Sequence, residues 1–337
     1  MKALQHARFG EPAEALELVE LPELPLGPFD VTIHVEAAPV HAGDLKNIAG
    51  EKLMIRDVQS GDDLAVSLPQ VPGIEGVGRI AACGASVDGL RVGDRVLLPW
   101  QCGSWRESLR ADSRQLLRAP EGDATQLCLM VNAFTADFAL RDLAPLSPGD
   151  WFVQNSANSN VGRALIKLAR LRGIRTLNIV RRAELIPDLE ALGADVVLVD
   201  GPDLARRVKD ACGGAPLTIG LDGIGGAATG RLAECLSDGA TVANFGSMSG
   251  EDVSIPTWVL LYKRVRVIGY YAGFNIATRS PQEQLKILGD LLELVATGQF
   301  QTKIAATYPL SRYRDAVAHA ARSGADRDGK IIFVMDH

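Results

Sequence analysis

The sequence predicts an α/β protein in which a doubly wound parallel sheet is joined to a β-rich domain. Three observations carry this. The chain has 337 residues, enough for two domains at roughly 100–200 residues each. Its first third is made of short apolar runs broken by Gly and Pro. After the turn signal Leu146-Ser147-Pro148-Gly149-Asp150 the pattern changes to strand–helix alternation.

In the first third, Val31-Thr32-Ile33-His34-Val35 alternates apolar and polar residues, Gly76–Ile80 follows a Pro-Gly turn, and Val92–Leu98 reads as a further strand. Closely spaced short strands with such punctuation predict a barrel-like β domain. A helical stretch near Leu127–Leu140 leads to the turn at 146–150. Trp151–Gln154 is then a short apolar strand. Val161, Ala164, Leu165, Leu168 and Ala169 fall on one face of a helix that Gly173 ends. Strand Thr176–Val180, helix Glu184–Leu192, and strands Asp195–Val199, Leu217–Leu221 and Ala240–Phe245 continue the series. Repeated βα units of this kind imply parallel strands with helices on both faces. Arg264–Tyr271 reads as another strand, Pro281–Thr297 as a helix and Gly329–Val334 as a closing strand without a βα partner. The expectation is a discontinuous β-rich domain, residues 1–122 and 304–337, around a dinucleotide-binding domain, residues 123–303.

Composition narrows the function. The formal net charge is −6, with 35 Lys and Arg against 41 Asp and Glu, so the basic footprint of a nucleic-acid binder is missing. No apolar run approaches the ~20 residues of a membrane span, and Met1–His6 runs straight into a strand-like segment. The five cysteines, at 83, 102, 128, 212 and 235, form no CxxC and are odd in number. A reducing, cytoplasmic location is therefore expected.

The first βα turn reads Gln154-Asn155-Ser156-Ala157-Asn158-Ser159-Asn160-Val161-Gly162. Set against G-x-G-x-x-G, its three positions hold Ala157, Ser159 and Gly162: two small residues, and the glycine that close helix–strand packing needs. Placed between a strand and an amphipathic helix, such a turn presents backbone N–H groups to a pyrophosphate. This defines a Rossmann sheet. The second strand ends Ile179-Val180-Arg181-Arg182, without the carboxylate that would bind the 2′-hydroxyl of NAD. Two guanidinium groups suit a 2′-phosphate instead, which makes NADPH the expected cofactor.

With these residues in view, the chain resembles the medium-chain dehydrogenase/reductase superfamily over nearly its full length. Within that superfamily it resembles the zinc-independent, mitochondrial-type 2-enoyl thioester reductases. The loop 154–162 is the most specific link. Gly103-Ser104-Trp105-Arg106, Gly223-Ile224-Gly225-Gly226, Phe245-Gly246-Ser247-Met248 and Gly269-Tyr270-Tyr271 support it in order along the chain. The resemblance implies a GroES-like catalytic domain beside the Rossmann domain and NADPH-dependent hydride transfer to the β-carbon of an α,β-unsaturated thioester. It implies cofactor contacts from Asn155, Asn158, Ser159, Asn160, Val161, Arg181 and Arg182, with Phe245, Gly246, Met248, Tyr270 and Tyr271 bordering the nicotinamide. It also implies a homodimer paired through the strand 264–271, at the sheet edge.

Two departures bear on the substrate. The family's proton-donating tyrosine corresponds to Lys52, and the segment Leu53–Leu68 is longer than the family pattern. His41, at the place of the first zinc ligand of related alcohol dehydrogenases, offers a proton shuttle near neutral pH; Lys52 is a second candidate. The other two ligand positions hold Ile74 and Asn132, and the four-cysteine structural zinc lobe is reduced to Cys102, so no metal is expected. An enoyl thioester reductase, a zinc-independent NADPH:quinone or enone reductase, and a non-catalytic NADPH-binding sensor are the three readings these residues support.

Overall fold

A computed structural model of the protein describes residues 1–51, 67–322 and 329–335. Lys52 and most of the long segment after it lie outside the described residues. Contacts divide the chain into two units, residues 1–131 with 281–337, and residues 132–280.

The first strands are β1 (Lys2–His6), β2 (Leu16–Glu20), β3 (Asp30–Val40), β4 (Val77–Cys83), β5 (Arg95–Leu97), β6 (Ser108–Asp112) and β7 (Leu117–Arg118). The second unit contributes β8 (Trp151–Gln154), β9 (Arg175–Val180), β10 (Val196–Val199), β11 (Ile219–Asp222), β12 (Thr241–Asn244) and β13 (Arg266–Gly269). The chain closes with β14 (Ile304–Tyr308) and β15 (Lys330–Val334).

In the first unit β1 and β2 pair with each other, and the larger sheet runs β14-β15-β3-β4-β5-β7 with β6 also on β3. β3 organises it. Val31, Ile33 and Val35 are fully buried, whereas Thr32 and His34 between them are not, the period-two pattern of a half-buried strand. From Ala37 to Val40 every residue is buried, because β15 lies antiparallel along that stretch, Ile331 opposite Val40. Trp105 fills the centre of this core, edge-on to Phe333 at 5.2 Å, its indole donating to Pro39 O at 3.1 Å. The expected strand 92–98 is shorter than its apolar pattern. Gly93 adopts φ 92°, Asp94 accepts the Arg91 N–H, and Val92 is 62% exposed, so 92–94 turn and only 95–97 pair. Gln126 exchanges two hydrogen bonds with the backbone of Thr302, which ties the helix Ala124–Leu127 to the stretch after the helix Pro281–Ala296 in this same unit.

In the second unit the sheet order is β10-β9-β8-β11-β12-β13, every pairing parallel. Numbered within the unit this is 3-2-1-4-5-6, the doubly wound order whose crevice lies at the carboxyl ends of the central strands. The helix Asn160–Leu171 packs Ala164, Leu165, Leu168 and Ala169 inward, the face its periodicity predicts. Gly173 follows with φ 69°, a left-handed end that a side chain would resist. At the outer edge all four residues of β13 are exposed.

Candidate active site

The turn between β8 and the helix Asn160–Leu171 forms a tight cradle. Ser156 takes φ 49°, a left-handed conformation that is uncommon outside glycine. Ser159 caps the helix, its hydroxyl accepting the Gly162 N–H at 3.1 Å. Gly162 is required by proximity: a Cβ there would lie 2.5 Å from Ala157 O and 2.7 Å from Ala157 Cα. Buried Gln154 donates to Gly162 O at 3.0 Å and to Asn178 Oδ1 at 2.8 Å, fastening strand, helix and β9 together. The N–H groups of Asn160 and Val161, ahead of that cap contact, are left for a ligand. One buried atom inside the cradle, Ser156 Oγ, has no hydrogen-bond partner among the described residues, and a buried hydroxyl without a partner is costly unless something binds to it.

Asp222, at the end of β11, holds the neighbouring loops. Its carboxylate accepts from Asn155 Nδ2 at 2.5 Å, Thr229 Oγ1 at 2.6 Å, Asn244 Nδ2 at 2.7 Å and Ile224 N at 3.0 Å. Asn155 also accepts the Gly223 N–H at 2.9 Å and is 3% exposed. The amide expected to touch a cofactor is therefore spent inside the protein, and its part in a nucleotide site is to hold the loop. Gly223 leaves room: a Cβ there would lie 2.5 Å from Ser156 Oγ and 2.9 Å from the Phe245 ring. Asn158 is exposed, Ser159, Asn160, Val161, Phe245 and Gly246 are half-buried, and Met248 is 65% exposed. Tyr270 is buried, its hydroxyl donating to Thr135 O at 2.7 Å, so that hydroxyl is committed within the unit. Tyr271 keeps an exposed edge. Arg181 and Arg182 follow β9 directly. Arg181 is exposed and Arg182 pairs loosely with Glu184 at 3.3 Å, a contact that costs little to exchange for a phosphate.

The first unit holds a second constellation, of four buried titratable groups: His41, Asp44, Glu75 and Lys330. Lys330 Nζ lies 2.8 Å from His41 Nδ1, and His41 Nε2 lies 2.7 Å from Glu75 Oε1. An ammonium only donates, so Nδ1 accepts and the ring carries its proton on Nε2, donated to Glu75. The other Glu75 oxygen accepts the Val131 N–H at 2.8 Å, at the start of the helix Met130–Asp142, and Asp44 accepts the His41 backbone N–H at 2.9 Å. Burial, then the Lys330 charge, pushes the His41 pKa down to about 3. Burial raises the Asp44 carboxyl to about 6 and the Glu75 carboxyl to about 8. The proton shuttle expected of His41 needs a ring nitrogen open to a substrate, and both are occupied. The ring instead bridges an ammonium and a carboxyl. Asp44, Glu75 and Lys330 escape a motif search. The signal in hindsight is a lysine opening an otherwise apolar strand, Lys330-Ile331-Ile332-Phe333-Val334.

These residues do not fit a zinc ion. Of the three ligand positions only His41 carries a donor, and an ammonium already sits on its Nδ1. Among the described residues Asn132 Nδ2 is buried without a hydrogen-bond partner, and an amide nitrogen is no ligand for zinc. Among the described residues no group of three or more His, Cys, Asp or Glu is arranged to hold a metal.

A doubly wound parallel sheet with a capped phosphate turn, in one chain with a separate β-rich unit, is the make-up of the two-unit dinucleotide-binding oxidoreductases. The alcohol dehydrogenase GroES-like family matches residues 27–129, and the family described as zinc-binding dehydrogenase matches residues 160–288. The chain is 30% identical over 326 residues to the mitochondrial enoyl-[acyl-carrier-protein] reductase of Rattus norvegicus, covering 94% of this chain and 84% of the relative. A Bacillus thuringiensis structure assigned as an NADPH:quinone reductase superposes with a TM-score of 0.87 at 25% identity, over 99% of this chain and 98% of that one. The mitochondrial 2-enoyl thioester reductase heterodimer of Candida tropicalis shares the fold, with a TM-score of 0.83 at 21% identity over 99% of each chain. The chain belongs to the medium-chain dehydrogenase/reductase superfamily, as a relative of the mitochondrial enoyl reductases.

Proposed function

We propose that this protein reduces the carbon–carbon double bond of a 2-enoyl thioester with NADPH and without zinc. At the level of the family it is an NADP(H)-dependent oxidoreductase acting on activated C=C bonds or quinones. The observation that carries the finer reading is the relationship to enoyl-[acyl-carrier-protein] reductases along nearly the whole chain. The occupied ring of His41 agrees with a site that uses no metal. NADPH, when bound, supplies a hydride for the β-carbon. The N–H groups at the start of the helix Asn160–Leu171 hold the pyrophosphate, and Arg181 and Arg182 hold the 2′-phosphate. Phe245, Gly246, Met248 and the exposed edge of Tyr271 border the nicotinamide.

A quinone or enone substrate is the second reading. The likeness to the Bacillus thuringiensis structure and the lysine at the family's tyrosine position favour it. Incubation with NADPH and either crotonyl-CoA or a quinone, followed by loss of NADPH absorbance, separates the two. Oxidation with crotonyl-CoA is expected. Oxidation with the quinone alone would select the second reading, and oxidation with neither, despite tight NADPH binding, would leave a sensor.

The assembly proposed is a homodimer through β13. Val267 and Ile268 on this edge are 39% and 42% exposed, and an apolar sheet edge left bare invites another strand. A monomer-sized peak in size exclusion at micromolar concentration would count against it.

A further inference from the structure

An open polar cleft of about 580 Å³ lies within the first unit, among β1, the stretch 67–71 and the turn 101–106. Its floor is the half-buried guanidinium of Arg106. Nε donates to Gly103 O at 2.7 Å, and among the described residues neither Nη has a hydrogen-bond or ion-pair partner. The turn is shaped around this group, since a Cβ on Gly103 would lie 2.7 Å from Arg106 Nη2. Gln5, Gln70 and Gln101 line the same cleft, and among the described residues their side chains make no hydrogen bonds. Cys102 is its titratable neighbour, and burial pushes that thiol up to about 12, so it stays neutral and offers no counter-charge at neutral pH.

Arginine withdrawn from water is normally matched by a carboxylate, because desolvating a cation without a partner is unfavourable. Many arginines of this chain are matched so: Arg79 and Arg95 by Glu36, Arg118 by Asp94, Arg172 by Asp137, Arg231 by Asp200. Arg106 is half-buried and, among the described residues, has no carboxylate partner. Its two Nη groups present the fork that fits two oxygens of an anion. The three amide groups add donors for further oxygens, which a tetrahedral anion has and a carboxylate lacks.

We propose that Arg106, with Gln5, Gln70 and Gln101, forms a binding site for a phosphate group. The group belongs either to free phosphate or to the carrier of an acyl thioester, since coenzyme A and phosphopantetheine both bear phosphates. The carrier source rests on the enoyl thioester reading; the phosphate site does not.

Calorimetric titration of the full-length protein with inorganic phosphate, in the presence of saturating NADP+ to fill the phosphate turn and the Arg181–Arg182 pair, tests the site directly. Saturable binding at millimolar concentration is expected, weakened at least tenfold in Arg106→Gln and less in Arg106→Lys, which keeps the charge and loses the fork. No binding to the wild type, or equal binding to Arg106→Gln, overturns the proposal. Should Arg106→Gln fail to fold, Gln70→Ala takes its place, with a several-fold weakening expected and an unchanged affinity counting against the site. The second arm compares crotonyl-CoA with the crotonyl thioester of N-acetylcysteamine, which has no phosphate. A tenfold rise in KM for crotonyl-CoA relative to the phosphate-free thioester in Arg106→Gln assigns the site to the carrier; an unchanged ratio, with phosphate still bound by the wild type, assigns it to free phosphate. A protein that reduces no thioester still answers the titration.

Discussion

Replacing Lys330 by Met removes the ammonium from the buried group around His41 while keeping most of the apolar stem. Lys330 is 7% exposed, and its Nζ is the donor on His41 Nδ1 at 2.8 Å. Its charge also acts on Glu75 and Asp44, both buried. Leaving the ring nitrogen without a donor costs about 1–3 kcal/mol. Breaking a buried charge cluster by removing one member costs about 3–5 kcal/mol. The two figures describe overlapping effects, so the expected loss is about 3–5 kcal/mol rather than their sum. For a unit of this size that lowers Tm by on the order of 10 °C. Lys330→Arg keeps the charge in a bulkier form and should lose about half as much. Scanning calorimetry of the three proteins gives the answer, and it resolves the two units if they melt separately. A Lys330→Met protein within about 1 kcal/mol of wild type would refute the assignment of this lysine as the buried donor to His41.

Three further outcomes are expected. Gly162→Ala places a Cβ 2.5 Å from Ala157 O; the phosphate turn must open, and NADPH affinity, read by tryptophan fluorescence, should fall at least about tenfold. Replacing Arg181 and Arg182 together by Ala should reduce the preference for NADPH over NADH by on the order of 10- to 100-fold in kcat/KM, since each charge-assisted bond to phosphate is worth about 1.5–3 kcal/mol; an unchanged ratio would place 2′-phosphate recognition elsewhere. The His41 pKa of about 3 lies below its ordinary 6.5, so folding favours the neutral ring. Its contribution is complete above pH 6.5 and is lost as the pH falls from there towards 3, at about 1.4 kcal/mol per pH unit. The stability gap between wild type and His41→Asn should therefore shrink by about 2 kcal/mol between pH 6.5 and 5, measured by urea titration, and the activity profile between pH 5 and 8 should carry no His41 ionisation. A constant gap would show that the ring is protonated in the fold.

Much of the second unit was legible in the sequence because its signals are local. The helix Asn160–Leu171 shows its buried face as a spacing of apolar residues, and Gly173 marks its end through a backbone conformation few other residues accept. Phosphate-turn chemistry is local as well: Ser159 caps the helix from within the motif, and Gly162 is needed by a contact only five residues away. The first unit was harder to read. Val92–Leu98 has a strand's composition, but Gly93 and Asp94 turn the chain, and only three of its residues pair.

The sequence by itself determined the doubly wound sheet, the dinucleotide turn and the basic pair after β9. Each is a matter of residue type and short spacing. Only the tertiary structure decided what the polar residues do with their hydrogen bonds. It spends Asn155 on Asp222 and the Tyr270 hydroxyl on Thr135. It puts Lys330 on His41 across 289 residues of chain, and it leaves the Arg106 fork facing a cleft. The reason is physical: a buried polar group must find its partner wherever the fold brings one, and nothing in the spacing of a sequence records which distant strand will supply it.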